Sequence, residues 1–227
     1  MSDNVPPPRP VRLVKFSVPP PNPDLLRRPR LLDFLQDHVH RKLILVAAAA
    51  GYGKSSLLTD FLADTEYRSA WLRLDETDRD LAALASDLVE ALQRAFPSFQ
   101  SSLHHLTSEV KASPEEQAAT LNREIESAMD EYFVLVLDDF HWVEESAPVI
   151  RFFDALLADL PEQAHLCVVG RTIPPLRLAT LTARQQIAGL SEEHLRFTAA
   201  EAQALVELRN RVALPDAEAE KLVANTE

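Results

Sequence analysis

From Leu31 onward, apolar residues recur at helical spacing through LLDFLQDHV, which predicts a first helix. The next stretch, KLILVAAAA, is a continuous apolar run that predicts a buried strand, and KSSLLTDFLAD returns to a helical pattern. SAWLRLD is strand-like: Ala70, Leu72 and Leu74 alternate against Ser69, Trp71 and Arg73. Asp78 is placed to cap the helix that follows, RDLAALASDLVEALQRAF. Ser113-Pro114-Glu115-Glu116 reads as a capping box with proline at the first helical position, opening EEQAATLNREIESAMDEY. YFVLVLDD is apolar throughout until its two carboxylates, the pattern of a strand buried on both faces. A helix over SAPVIRFFDALLADL then leads to a strand, HLCVVGR. After a Pro174-Pro175 turn and a short segment near Leu195, Thr198-x-x-Glu201 opens a last capped helix, AAEAQALVELRNRV. Strands alternating with helices predict an α/β fold with a parallel sheet covered on both faces.

Composition narrows the class. Hydrophobic residues make up 46% of the 227, enough for a sizeable core, and no apolar run approaches the roughly 20 residues of a membrane span. The start, MSDNVPPPRPVRL, lacks the apolar stretch of a signal peptide, and the single cysteine, Cys167, lies in a core-like run. The expected location is the cytoplasm, with no membrane partner. A net charge of −12 argues against direct grip on nucleic acid, and Arg27, Arg28 and Arg30 read as a solvated edge. Half of the sixteen prolines lie between residues 6 and 23, which predicts an extended strap or, less simply, a proline-motif ligand. The organisation expected is a proline-rich extension at 1–23, a nucleotide-binding domain at 24–197 and the beginning of a helical subdomain at 198–227. The chain stops inside a helical pattern, AEAEKLVANTE, so a longer protein is expected.

The chemistry concentrates at AAAAGYGKSS, where two of only four glycines, Gly51 and Gly53, lie between a strand and a helix. A strand–turn–helix of this kind turns consecutive N–H groups toward one spot, an anion site. The pattern is A-x-x-G-x-G-K-S, with Ala48 where a phosphate loop has its first glycine. Ala48, Ala49, Ala50, Gly51, Tyr52 and Gly53 form the cradle. Lys54 is expected to reach the β- and γ-phosphates, Ser55 to coordinate magnesium, and Ser56 to reach an α-phosphate. The loop by itself leaves ATP and GTP undistinguished.

Hydrolysis needs more than a cradle. Asp138, ending an apolar strand, is expected to hold the magnesium opposite Ser55, and Asp139 to orient or deprotonate the attacking water. Arg171 ends the next strand, on the carboxyl edge where open α/β sheets bind ligands, and is expected to contact the γ-phosphate. His141 reads as a helix-start residue. His104-His105 has no further ligand at metal spacing, and Gly189 reads as structural.

Together, LLRRPRLL, AAAAGYGKSSLL, SAWLRLDETD, VLDDFHWV, VVGRTIPPL and LRFTAAEAQALV resemble, in order and spacing, the ATPase module of large LuxR-type transcription regulators. That group falls among the signal-transducing ATPases with numerous domains. The resemblance covers about residues 20 to 227. It implies a five-stranded parallel sheet in the order 5-1-4-3-2 followed by a helical region, an ADP-bound resting state and an ATP-bound, self-associating active state. It also implies an inducer-binding helical-repeat domain and a DNA-reading helix-turn-helix outside this chain. By position, Lys54, Ser55, Asp138, Asp139 and Arg171 match the family's site residues, and Arg28 matches the arginine near the adenine end of the pocket. The leading reading is a slowly hydrolysing ATP switch. The alternatives are a metabolic phosphotransferase and an ATP-binding assembly module without hydrolysis.

Overall fold

The computed structural model describes residues 13–22, 24–103, 106, 112–211 and 213–225. Five parallel strands form one sheet: β1 (Leu43–Ala47), β2 (Arg68–Arg73), β3 (Phe133–Asp138), β4 (Ala164–Gly170) and β5 (Ile187–Ser191). Their spatial order is β2-β3-β4-β1-β5, the order the family resemblance implies. The fifth strand was not assigned from the apolar pattern, which marks only a short segment near Leu195. Gly189 sits at its centre with its Cα in register with Leu45, and a Cβ there would meet the Leu45 carbonyl at an ordinary contact distance of 3.5 Å.

Around the sheet run α1 (Pro29–His38), α2 (Lys54–Asp64), α3 (Leu81–Ala95), α4 (Pro114–Ala128), α5 (Ala147–Ala158), the short α6 (Ala179–Ala183) and α7 (Glu192–Leu195), then α8 (Ala199–Asn210) and α9 (Asp216–Asn225). The capping boxes written in the sequence form as expected. Ser113 accepts from the Glu116 amide, and Thr198 from that of Glu201. Asp78 does not cap α3. That role belongs to Asp80, which accepts from Ala83 N–H, whereas Asp78 closes the preceding 3₁₀ turn (Glu76–Arg79) with Asp75.

Alternation along each strand divides the core. Leu43 and Leu45 face α3, α4 and α5 together with Leu135, Leu137 and Phe153, while Ile44 and Val46 face α1 and α2 together with Leu35, Phe61 and Val136. Trp71 belongs to the second cluster and is buried, because β2 is covered on both faces where its alternation suggested one. Cys167 is fully buried in the same cluster, and burial pushes its thiol up, out of reach of ionisation. This two-sided packing fixes the carboxyl ends of β1, β3 and β4 along one edge, and the candidate site lies there.

Candidate nucleotide site

β1 ends at Ala47, and the chain turns through residues 48–53 into α2. Two left-handed residues make the turn, Gly51 at φ 91° and Gly53 at φ 73°, and Gly53 is also the N-cap of α2. No atom lies within 4 Å of where a side chain would project at either glycine, so the hollow above the loop is open. Ala48 is buried, and its N–H reaches the Gly170 carbonyl at 3.3 Å. A small residue at this point lets the loop leave the sheet against β4 without a glycine. Ala49, Ala50 and Gly51 are exposed, and Ser56 is half-buried in the first turn of α2.

Lys54 bends back over the loop, its Nζ donating to the carbonyls of Ala48 and Ala49, each at 2.8 Å. Burial lowers its pKa, and Arg171 adds to that, against the pull of Asp138 and Asp139. Across the edge, Ser55 Oγ donates to Asp138 Oδ2 at 2.9 Å. Asp138 is 3% exposed, and its pKa is raised by burial and then by the charge of Asp139. Two adjacent carboxylates, one of them dry, with a hydroxyl between them and the loop, are relieved by a divalent cation. The oxygen-only set of Ser55 and Asp138 suits magnesium, which takes one or two protein oxygens and completes its shell with water and phosphate. Among the described residues no group of three or more His, Cys, Asp or Glu side chains forms a protein-only metal cage, and His104-His105 lies outside them.

Asp139 sits at φ 59° and accepts from Arg73 Nε at 2.8 Å. Arg171 is exposed just past β4, close enough for its charge to act on Lys54 and His141. Burial, then Arg171, lowers the pKa of His141.

Beside the loop, a cavity of about 660 Å³ opens between Gly51, Gly53, Ser56 and Leu57 on one side and Phe197, Leu205, Arg209 and Val223 on the other. Arg28 lines it and is not part of a solvated edge: it is 8% exposed. Its guanidinium donates to the carbonyls of Leu195 and Arg196 at 2.7 Å each, pairs with both oxygens of Glu201, and lies 4.6 Å over the Phe197 ring. It therefore ties α1 to α8 as it walls the cavity.

Two partners of the site were missed in the sequence. Glu192, first residue of α7, accepts from Tyr52 Oη at 3.1 Å and from Ala49 N–H at 3.4 Å. No local signal connects residues 140 apart. Arg73, the partner of Asp139, was within reach of reasoning, since it ends β2 in register with Asp138.

Residues 26–169 match the AAA ATPase domain family. The HTH-type transcriptional regulator MalT of Yersinia enterocolitica is 32% identical over an alignment covering 96% of this chain and 23% of the relative. MalT of Yersinia pestis is 31% identical over the same shares. The chain thus spans about a quarter of the length of these curated relatives. In fold it is similar to a signal-transduction ATPase with numerous domains from Pyrococcus horikoshii, at TM-score 0.59, 16% identity and coverage of 92% of this chain and 29% of that one. It is similar also to a Walker-type ATPase of Pyrococcus abyssi, at TM-score 0.53, 17% identity and coverage of 92% and 66%. With the phosphate loop, the carboxylate pair and the sheet order all in agreement, the chain belongs to the AAA ATPase domain family.

Proposed function

We propose that this chain is the ATP-binding, slowly hydrolysing switch module of a signal-responsive transcription regulator. The observation that carries the reading is the meeting of Ser55 and Asp138, 83 residues apart, at the mouth of an open glycine turn. The amides of residues 50–56 and the Lys54 ammonium bind the β- and γ-phosphates. The nucleoside enters the cavity between Gly53 and Phe197, with Arg28 in its wall. Ser55 and Asp138 hold magnesium, which when bound supplies positive charge to the phosphate oxygens. Asp139 orients the attacking water and accepts its proton, and Arg171 contacts the γ-phosphate.

The regulator role is supported by the similarity to MalT, whose name specifies an HTH-type transcriptional regulator. DNA reading and inducer binding fall to parts of such a protein outside this chain, whose own charge is −12. The switch rests with ADP, self-associates with ATP and works in the cytoplasm. Residues 24–197 form the nucleotide-binding unit, and 198–227 begin a helical subdomain. In a phosphate-release assay, Asp139→Asn is expected to retain ATP binding and to slow turnover by about 10²-fold, the low end for a general base. Turnover equal to wild type would remove Asp139 from the mechanism.

A further inference from the structure

We propose that His141 contacts the terminal phosphate and, alongside Arg171, contributes to this site's discrimination of a nucleoside triphosphate from a diphosphate. The proposal rests on the nucleotide reading above and adds a role that the sequence pattern did not assign.

His141 lies in the 3₁₀ turn Phe140–Trp142, directly after the carboxylate pair. Both of its ring nitrogens are buried and have no hydrogen-bond partner among the described residues. The Asp139 carboxylate is 3.8 Å from Nδ1, beyond hydrogen-bonding reach. Buried polar side chains are almost always paired, so an orphaned imidazole marks a partner that arrives from outside.

The surrounding groups indicate its chemistry. Charges of Arg171, Asp139, Glu144 and Lys54 act on the ring. The two carboxylates are already engaged, Asp139 by Arg73 and Glu144 by the Thr172 hydroxyl. The two cations, Lys54 and Arg171, share no carboxylate hydrogen bond or ion pair among the described residues. A ligand that serves Lys54, Arg171 and the ring together is an anion. In either tautomer one ring nitrogen carries a hydrogen, which a phosphate oxygen accepts in a charge-assisted bond. A diphosphate lacks the outermost group and leaves the ring unpaired. The contact thus contributes to binding of one nucleotide state and not the other, which is what a nucleotide must do to shift a conformational equilibrium.

Calorimetric titration of wild type, His141→Ala, His141→Phe and His141→Gln with Mg-ADP and with Mg-AMP-PNP tests this. The alanine and phenylalanine variants are expected to bind AMP-PNP about tenfold more weakly, the scale of one hydrogen bond to a charged group, and ADP within about twofold of wild type. Glutamine, which keeps an N–H donor, is expected to recover most of the loss. Phenylalanine fills the ring's volume and reads the same contact should alanine fail to fold. Equal weakening of both nucleotides would indicate a structural residue and overturn the proposal, as would AMP-PNP affinity unchanged from wild type. Wild-type protein that bound neither nucleotide would overturn the nucleotide reading as well, whereas unchanged variants of a binding wild type would overturn this proposal alone.

Discussion

Arg73 Nε donates to Asp139 Oδ2 over 2.8 Å, tying the end of β2 to the residue that follows β3. The pair holds one carboxylate oxygen away from other partners. Both side chains are partly exposed, 57% and 27%, so the pair is worth at most about 1 kcal/mol. Arg73→Ala is therefore expected to raise ATP turnover by up to about fivefold, with nucleotide affinity unchanged, in a steady-state phosphate assay. A drop to the rate of Asp139→Asn would mean that Arg73 positions the carboxylate and does not restrain it.

Arg28 joins the strand-rich part of the chain to the helices after Leu195. Arg28→Ala leaves the Leu195 and Arg196 carbonyls without these donors and removes a buried partner of Glu201. A loss of about 3 kcal/mol is expected in urea unfolding. Arg28→Lys should restore little of it, because an ammonium cannot reproduce the planar fork. Limited proteolysis is expected to release α8 and α9 first. Wild-type stability in the alanine variant would show that the tether carries nothing.

The N-terminal segment docks through one ammonium shared by three carboxylates. Lys15 Nζ lies 2.8 Å from Asp78, 2.7 Å from Asp87 and 3.2 Å from Asp75. The Asp78 side chain has no exposed surface, and burial pushes its carboxyl up to about 6 from 3.8, against the pull of Lys15. Between these two values the folded state binds the proton that the unfolded state has lost. This group's contribution to stability therefore falls as pH rises from about 4 to about 6. Asp78→Asn cannot titrate. Its stability relative to wild type is expected to climb across that window and level off above it, in urea unfolding at successive pH values. A relative stability that declined across the window would contradict the assignment.

The parts of this site that sequence made legible share a property: they are consecutive in the chain. Gly51, Gly53, Lys54 and Ser55 announce themselves because strand, turn and helix follow one another, and Asp138 and Asp139 because they end an unbroken apolar run. Distance in sequence hides the rest. Arg28 looked like a solvated charge because its acceptors, Leu195, Arg196 and Glu201, lie more than 160 residues away and meet it only in the folded chain. β5 has a mixed burial pattern with a glycine at its centre, so its periodicity is faint, and only pairing with β1 defines it. Asp78 was the expected cap of α3, but its carboxylate turns inward to Lys15 and Asp80 caps the helix instead.

The central claim is that the loop at residues 50–56, with Lys54 behind it and Ser55 and Asp138 in front, encloses the phosphates of a nucleotide. Calorimetric titration of Mg-ADP into wild type and Lys54→Ala tests it most directly. Saturable one-to-one binding by wild type, with no detectable heat of binding in the variant, is the expected result. Wild-type affinity in Lys54→Ala, or no binding by either protein, would contradict the account.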